Sequence, residues 1–290
     1  MDLSLSGETR VALAGDWHGN ISWVQSIIPA LARSAPDVRT ILHVGDFGIW
    51  PERRGKGFVD TVDFWCKRAG IERVLVTPGN HEDWDRLDAW FAGALGQPVK
   101  ISKTVWILPR AFRFTLGEPT FLSFGGAASV DYELRTRGTE WWPTEIPTER
   151  DVAAAIVGGA ADVLITHETV NGGTAATERL LRTNPMRWSA EALSYSALSR
   201  SRVTQVWEAV HPKVLVHGHM HVADELTLPD GRRIYSLSRD NQVGNIGLLD
   251  LTTLEWTDVF AGEIRPQAKR TRNVEAIYLT RSDDNAVDEP

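Results

Sequence analysis

VLVHGHMH, residues 214–221, places three histidines at every second position behind a short apolar run. On a regular strand this alternation would point His217, His219 and His221 to one face. The residues alone leave three interpretations open: three metal ligands, a strand face rich in imidazole, or a mixture of both. Other residues in the chain that could share a metal with these histidines are needed to choose between them.

The same apolar pattern occurs four more times along the chain. The segments are VALAG (11–15), ILHVG (41–45), VLVTPG (74–79) and VLIT (163–166). Short runs of this kind, bounded by turn-forming residues, are typical of strands buried on both faces. Two amphipathic helical patterns, ISWVQSIIPALARSA and FVDTVDFWCKRAG, separate the first three runs. This alternation predicts a parallel-type sheet with helical crossovers.

The rest of the chain predicts a second sheet. VWILPR, FRFTLG and TFLSFGGAAS follow one another without helices, which favours antiparallel strands. TERDVAAAIVGGA and a longer segment near 189–210 are helical patterns, and a PDGR turn inside ELTLPDGRRIYSLS indicates a hairpin. NIGLLDLTTLEWTDVF adds another strand pair. We therefore expect an α/β fold, a layered α/β/β/α sandwich of two mixed sheets flanked by helices.

Composition and charge narrow the classes of function. The 290 residues include 31 basic and 38 acidic side chains, a net charge of −7, so there is no strong nucleic-acid signature. Cys66 is the single cysteine, which excludes an internal disulfide, and we expect it to be packed in the core. No signal-peptide pattern opens the chain and no run approaches the roughly 18 apolar residues of a membrane span. We expect a cytoplasmic protein without membrane contact, and the sequence does not specify an oligomeric state.

Residues able to bind metals follow every strand-like run. They are Asp16 and His18, Asp46, Asn80 with His81 and Glu82, His167 with Glu168, and the histidines of residues 217–221. In open α/β sheets, sites lie at the carboxyl ends of strands, where loops from several strands converge. Six of the eight histidines occupy such positions, which predicts one shared site.

Taken in order, GDWH, GD, GNHE, a histidine after a strand and GHMH resemble the calcineurin-like metallophosphoesterase superfamily, from residue 11 to about residue 250. The resemblance implies that one divalent ion is held by Asp16, His18, Asp46 and His221. It implies a second ion held by Asp46, Asn80, His167 and His219, with Asp46 as the bridge. His81 would lie beside the pair without binding it, so that Asp46 and His81 are the expected catalytic residues.

The chemistry of these side chains agrees with that implication. Imidazole and carboxylate ligands suit Mn, Fe or Zn, with Mn expected, better than Mg or Ca. Two dications carry +4 and Asp16 and Asp46 supply −2, so the site would be about +2 and would attract a phosphoester. A water activated by the ions would be the nucleophile, and a protonated His81 would donate a proton to the leaving oxygen. Gly15, Gly45, Gly79 and Gly218 would allow the tight turns that the cluster requires.

Two segments bear on the substrate. Protein phosphatases of the superfamily grip the phosphoryl group with an arginine after the second motif, whereas this chain has Gly48 and Ile49 there, which disfavours a protein phosphatase. Residues 129–147 are either a packed surface loop anchored by tryptophan, or a rim beside the metals. The rim would offer arginine (135 or 137) for phosphate and tryptophan (141 or 142) for stacking on a base.

The rim interpretation favours a phosphodiesterase that acts on a small phosphoester, with nucleotide-like compounds as candidates. The alternatives are a phosphomonoesterase (including a protein phosphatase), a nuclease, and a metal-free binding scaffold of the same fold. We expect residues 1–262 to form the catalytic domain and residues 263–290 a polar, partly disordered tail.

Several neighbouring residues receive simpler interpretations. Glu82, Asp83 and Asp85 are expected to be acidic residues of a first helical turn. Glu168 either orients a ligand or faces solvent from a loop. His43 and His217 are expected to pack or to support the site from behind.

Overall fold

A computed structural model describes residues 1–51 and 55–259. The expected domain boundary at residue 262 and the tail, residues 263–290, lie outside the described residues. Within them, no helix combines the length and the apolar character that crossing a bilayer requires.

The described chain forms 13 strands and six α-helices. The strands are β1 (Arg10–Ala14), β2 (Thr40–His43), β3 (Arg73–Val76), β4 (Val99–Lys100), β5 (Val105–Ile107), β6 (Phe112–Thr115), β7 (Thr120–Phe124), β8 (Val163–Thr166), β9 (Val214–His217), β10 (Asp224–Thr227), β11 (Arg233–Ser236), β12 (Ile246–Asp250) and β13 (Trp256–Asp258). The helices are α1 (Ile21–Ser34), α2 (Phe58–Ala69), α3 (Trp84–Gly93), α4 (Glu149–Val157), α5 (Ala175–Thr183) and α6 (Ala190–Val210).

The strands make two mixed sheets. The order is β13-β12-β1-β2-β3-β5-β4 in the first sheet and β10-β11-β9-β8-β7-β6 in the second. In the first, β1, β2, β3 and β5 are parallel, and β12 pairs antiparallel with β1. In the second, β7, β8, β9 and β11 are parallel. The carboxyl ends of parallel neighbours therefore meet at one edge of each sheet, which brings the loops that follow them together.

Both faces of the central strands are buried, as their near-continuous apolar sequences predict. Along β1, Ala12 and Ala14 pack in a core shared with α1 and α2. Val11 and Leu13 alternate with them and pack in a core that also holds Val163 and other residues of the second sheet. A third core joins the second sheet to α4 and α6. The α/β/β/α sandwich is confirmed.

One strand pairing differs from the expectation. VWILPR contributes β5 to the first sheet, where it lies parallel to β3, whereas FRFTLG forms β6 at the edge of the second sheet. The missing helix therefore marks a passage between the sheets and not a hairpin. Leu108 and Phe112, on either side of this passage, pack in the core between the sheets, which holds the crossing in place. The expected antiparallel pairs β6–β7, β10–β11 and β12–β13 are confirmed.

Candidate metal centre

Loops after β1, β2 and β9 bring four acidic and imidazole side chains together. Asp16, His18, Asp46 and His221 each offer a ligand atom, and these atoms all lie within 4.8 Å of one another. His221 Nε2 is 3.1 Å from Asp16 Oδ2, and His18 Nε2 is 3.4 Å from Asp46 Oδ2. Both carboxylates are buried. This cluster is the first of the two ligand sets that the resemblance implies.

The remaining three expected ligands lie on the other side of Asp46. His167 Nε2 is 3.1 Å from Asn80 Oδ1 and 3.2 Å from Asp46 Oδ1. The ring of His219 is 5.1 Å from the ring of His167, centroid to centroid. Asp46 therefore turns one oxygen toward His18 and the other toward His167, the arrangement that a bridging carboxylate needs.

Two buried atoms of this site lack a hydrogen-bond partner among the described residues. They are Asp46 Oδ2 and His219 Nε2. Buried polar atoms are almost always paired, so two orphans facing one cluster indicate a missing positive ligand. Burial would lower the pKa of His167, but Asp46 and Asp16 outweigh it and raise that pKa to about 10. The site thus favours positive charge, and its residues fit a pair of divalent cations.

The imidazoles are oriented by groups behind them. His18 Nδ1 donates to Asp240 Oδ1 at 3.0 Å, and His167 Nδ1 donates to the Val44 carbonyl at 2.8 Å. Each contact leaves Nε2 directed into the cluster, which is how metal-binding histidines are usually held. Sequence reasoning missed Asp240, although its place in the polar run SRDN directly after β11 was a usable signal.

The backbone is strained at four of the seven expected ligands. His18, Asp46, His219 and His221 have φ of 46°, 51°, 69° and 54°. Non-glycine residues seldom adopt positive φ, and such strain persists where the surrounding structure enforces it, often at functional sites. Strand β9 ends at His217, and the backbone then turns. The three histidines of VLVHGHMH therefore do not share one strand face, contrary to what strict alternation would give.

Neighbouring side chains approach the backbone so closely at two positions that only glycine fits there. A Cβ at Gly79 would collide with the Asp46 carboxylate and lie 2.8 Å from His167 Nε2. A Cβ at Gly218 would collide with the Asp16 carboxylate. Any larger residue at these two positions would displace an expected ligand.

Glu82 is not the helix-turn acid that the sequence suggested. Its side chain is fully buried, and its carboxylate accepts from the amides of Phe47 (2.7 Å), Gly48 (3.2 Å) and Gly79. Burial and the charge of Asp46 raise the pKa of Glu82 to about 7. Glu82 therefore ties the loop that carries Asp46 to the loop that carries Asn80. Asp83, by contrast, caps α3 by accepting from the amide of Arg86 at 3.2 Å.

Three other residues near the ligands are buried. Glu168 is fully buried, so its interpretation as a solvent-facing acid is wrong; its Oε2 is 3.9 Å from His219 Nε2. His217 donates from Nδ1 to the Gly218 carbonyl at 3.0 Å and accepts from Thr169 Oγ1 at 3.2 Å. Burial lowers the pKa of His217 to about 4, so it stays neutral. His43 packs edge-on against Trp17 and Phe47. Both histidines pack as expected.

His81 lies beside the cluster and contacts an arginine. Arg135 Nη1 lies 2.9 Å from His81 Nδ1 and Nη2 lies 3.2 Å from Nε2, so the guanidinium donates to whichever ring nitrogen carries no proton. His81 Nε2 is 3.7 Å from Asp46 Oδ2. Asp131 holds the same guanidinium through two further hydrogen bonds of 2.6 and 2.7 Å. Burial, with Arg135 and His18 adding to it against the opposing Asp46, lowers the pKa of His81 to about 3. Burial thus favours the neutral form of His81 in this structure.

The segment of residues 129–147 provides both an anchor and a rim. Trp142 is 3% exposed, so it is the anchor of the segment and offers no face for stacking on a base. Trp141 is partly exposed and packs on Tyr132 at 5.1 Å between ring centroids, with Tyr195 of α6 edge-on to Tyr132. Tyr132 and Trp141, which we call the aromatic pair, belong to the same segment as Arg135. Of the two candidate arginines, Arg135 contacts His81, whereas Arg137 is exposed.

Behind the aromatic pair lies a buried network that the sequence did not suggest. Glu145 Oε1 accepts from the Ser129 amide (2.6 Å), Trp141 Nε1 (3.0 Å) and the Tyr195 hydroxyl (3.1 Å), and Oε2 contacts Ser129 Oγ at 2.8 Å. Ser129 Oγ in turn accepts from Asn80 Nδ2 at 3.0 Å. Burial, opposed by these donors, raises the pKa of Glu145 to about 8. A glutamate in a polar loop carries no sequence signal of such burial.

Comparison with known proteins supports the same assignment of fold. The family model described as calcineurin-like phosphoesterase matches residues 9–223. A dimetal phosphatase from Danio rerio is 12% identical, with a TM-score of 0.51 and a match over 85% of this chain and 93% of that chain. The protein TT1561 of Thermus thermophilus is 13% identical, with a TM-score of 0.51 over 86% of this chain and 97% of that chain. No curated protein matches the sequence at a significant level. At these identities the solved structures show a shared fold.

Proposed function

Because this chain belongs to the calcineurin-like phosphoesterase family, we propose that it is a dinuclear metal-dependent phosphodiesterase that acts on nucleotide-like substrates. The observation that carries this proposal is the convergence of Asp16, His18, Asp46 and His221 within 4.8 Å, with two orphaned buried atoms at the same place. The acidic balance of the chain and its single cysteine support a cytoplasmic enzyme with a small substrate.

We assign seven residues to two divalent ions, with Mn favoured. One set is Asp16, His18, Asp46 and His221, and the other is Asp46, Asn80, His167 and His219. When bound, a pair of such ions lowers the pKa of water and neutralises charge on a phosphoryl group. The protein supplies two carboxylates against them, which leaves a net positive site for a phosphoester anion.

Arg135 supplies the fixed cation that the second motif lacks at Gly48 and Ile49. Its guanidinium is held by Asp131 and lies against His81, so it faces the place where a phosphoester would meet His81. Guanidinium forks match phosphate geometry, and Arg keeps its charge at all physiological pH values. His81 is neutral before substrate binds, and the negative phosphoester would raise its pKa and allow it to protonate the leaving oxygen.

The aromatic pair supports a substrate with a second, planar substituent on phosphorus. Tyr132 and Trp141 lie in the same segment as Arg135 and are partly exposed. Stacking of a base on aromatic side chains contributes about 1–3 kcal/mol. A phosphodiester with a nucleoside on one side would use both the arginine and the aromatic pair, whereas a phosphomonoester without a base would use the arginine alone.

A substrate panel on the Mn-loaded protein tests the proposal. The panel compares cyclic nucleotides, short oligonucleotides, nucleoside monophosphates, aryl phosphodiesters, aryl phosphomonoesters and phosphoproteins. We expect the highest kcat/KM on a nucleotide diester. Trp141→Ala should lower kcat/KM at least about tenfold on nucleotides and by less on aryl esters, whose single ring offers less area for stacking. A preference for monoesters would show that the enzyme is a phosphomonoesterase and not a phosphodiesterase. A protein that neither hydrolyses any of these substrates nor binds metal would be a binding scaffold.

Arg135→Ala and Arg137→Ala are a matched pair within the same loop. The first removes the guanidinium beside His81, and we expect kcat/KM to fall about 10²-fold because a charge-assisted contact to phosphate is lost. The second removes an exposed guanidinium and should leave kcat/KM within about twofold. Equal effects of the two changes would refute the role of Arg135.

A further inference from the structure

Asn80 presents a chemical problem, because an amide can turn either its oxygen or its nitrogen toward a cation. Only the oxygen has lone pairs for a metal ion, and the NH2 group repels it. In the structure, Oδ1 faces His167 Nε2 at 3.1 Å, whereas Nδ2 points away to Ser129 Oγ at 3.0 Å. Asn80 is buried, so a group that prefers one orientation acts without competition from bulk water.

Ser129 selects that orientation only if its own proton points elsewhere. A hydroxyl has one hydrogen, so Oγ accepts from Asn80 Nδ2 when that hydrogen goes to another acceptor. The available acceptor is Glu145 Oε2, at 2.8 Å. Both Ser129 and Glu145 are buried, at 1% and 0% exposure, so the hydrogen bonds are shielded from water.

The other side of the Glu145 carboxylate determines which oxygen serves Ser129. Oε1 accepts from the Ser129 amide, from Trp141 Nε1 and from the Tyr195 hydroxyl. Since three donors already point at Oε1, Oε2 remains as the acceptor for the serine hydroxyl. When Glu145 is ionised, the direction of donation therefore runs from Asn80 to Ser129 to Glu145.

We propose that Glu145 is a positioning residue for one of the two metal ions: through Ser129 it holds the Asn80 amide with its oxygen toward the metal centre. This inference rests on the proposed function, in which Asn80 is a ligand. Glu145 itself touches neither substrate nor ion. The same carboxylate accepts from Trp141, so the loop that carries the aromatic pair is joined to the metal centre through one buried group.

Glu145→Gln is the sharpest test, because it keeps size and shape. The three donors at Oε1 require the glutamine carbonyl on that side, which turns its NH2 group toward Ser129 Oγ. The serine hydrogen then has no acceptor unless the Asn80 amide flips and offers its oxygen, which would turn Nδ2 to the metal. We expect one of the two Mn ions to bind about 10–100-fold more weakly, as is typical for loss of a group that orients a ligand.

The measurement is Mn binding by calorimetric titration, at a pH above the pKa of Glu145, with stoichiometry checked by elemental analysis. Asn80→Ala identifies which ion is affected, and the Glu145→Gln/Asn80→Ala double variant should lose no more affinity than Asn80→Ala alone. Tyr195→Phe is the control, because it removes one donor to Oε1 and leaves the path to Asn80 intact. Its affinities for both ions should stay within about twofold of the parent protein.

Three outcomes would overturn the proposal. They are unchanged affinity for both ions in Glu145→Gln, an equal loss of both ions, or a further loss in the double variant. If Glu145→Gln does not fold, as seen by circular dichroism, Ser129→Ala decides, since it removes the acceptor for Asn80 Nδ2 and should weaken the same ion. A parent protein that binds two ions and hydrolyses diesters, with variants unaffected, would reject the role of Glu145 and keep the function. A parent protein that binds no metal would reject both.

Discussion

Replacing Glu82 by alanine would remove one buried acceptor from three backbone donors. The amides of Phe47, Gly48 and Gly79 all point at its carboxylate and have no water-exposed alternative. A buried donor left without a partner costs about 1–3 kcal/mol, so three give about 3–9 kcal/mol. These donors belong to the loops of Asp46 and Asn80, so the change would also loosen the metal centre.

Loss of the charge offsets part of this cost. Burial and Asp46 raise the pKa of Glu82 from 4.5 to about 7, so its ionised form is disfavoured by about 3 kcal/mol at most. Subtracting this offset leaves a net loss in the free energy of unfolding of up to about 6 kcal/mol, with the unpaired donors dominating. The loss in the free energy of unfolding for Glu82→Gln should lie between those of the parent protein and Glu82→Ala, at about 1–3 kcal/mol. The glutamine carbonyl can accept from two of the amides, while its NH2 group opposes the third.

Urea unfolding of the metal-free protein measures these differences, with the slope of the transition checked for change. Asp85→Ala is the control, because Asp85 is exposed in the first turn of the same helix and contributes about 1 kcal/mol or less there. If Glu82→Ala were no more destabilising than Asp85→Ala, the assignment of Glu82 as the tie between the two ligand loops would be refuted.

Three further predictions follow from single sites. Asp46→Asn should release both ions, since it replaces a shared carboxylate, whereas His81→Ala should keep both ions and slow turnover. Elemental analysis measures the bound metal and initial rates measure the turnover of each variant. Equal loss of metal in the two variants would contradict the assigned roles. Cys66 is buried in α2 with its pKa raised by burial to about 12, so a thiol reagent should label it only in urea-unfolded protein, and rapid labelling of the native state would argue against its burial. Burial raises the pKa of Glu145 from 4.5 to about 8, so the folded state keeps the carboxyl proton to a higher pH than the unfolded chain does. The contribution of this proton to the free energy of unfolding is complete below about pH 4.5 and is lost as the pH rises toward 8. Between about pH 5 and pH 8, the free energy of unfolding of the metal-free protein should fall by about 2–4 kcal/mol less in Glu145→Gln than in the parent protein. The same pH dependence in both proteins would contradict the raised pKa.

Local pattern was enough to predict the layers, and it was enough to name candidate ligands that lie close together in the structure. Strands buried on both faces need unbroken apolar runs, and such runs are visible without a structure, as VALA and VLVH show. Metal-binding side chains at strand ends are equally visible, because parallel strands bring their carboxyl ends to one edge. All seven expected ligands lie in one site, although the assignment of each to an ion stays a prediction.

Pairing partners and supporting residues were not readable in the same way. The strand VWI and the strand FRFT follow each other closely, yet they lie in different sheets, because apolar patterns record burial and do not record which neighbour a strand hydrogen-bonds to. Trp142 and Trp141 are adjacent and chemically identical, but the first is buried and the second is partly exposed.

Glu82 and Glu145 show the same limit most clearly. Each is an acid in a polar stretch, where solvent exposure is the usual outcome. Both are buried, because distant segments supply several N–H and O–H donors that compensate for the loss of water. The local sequence therefore specifies which atoms can bind metal, whereas the burial and orientation of the carboxylates behind them arise only when loops far apart in the chain pack together.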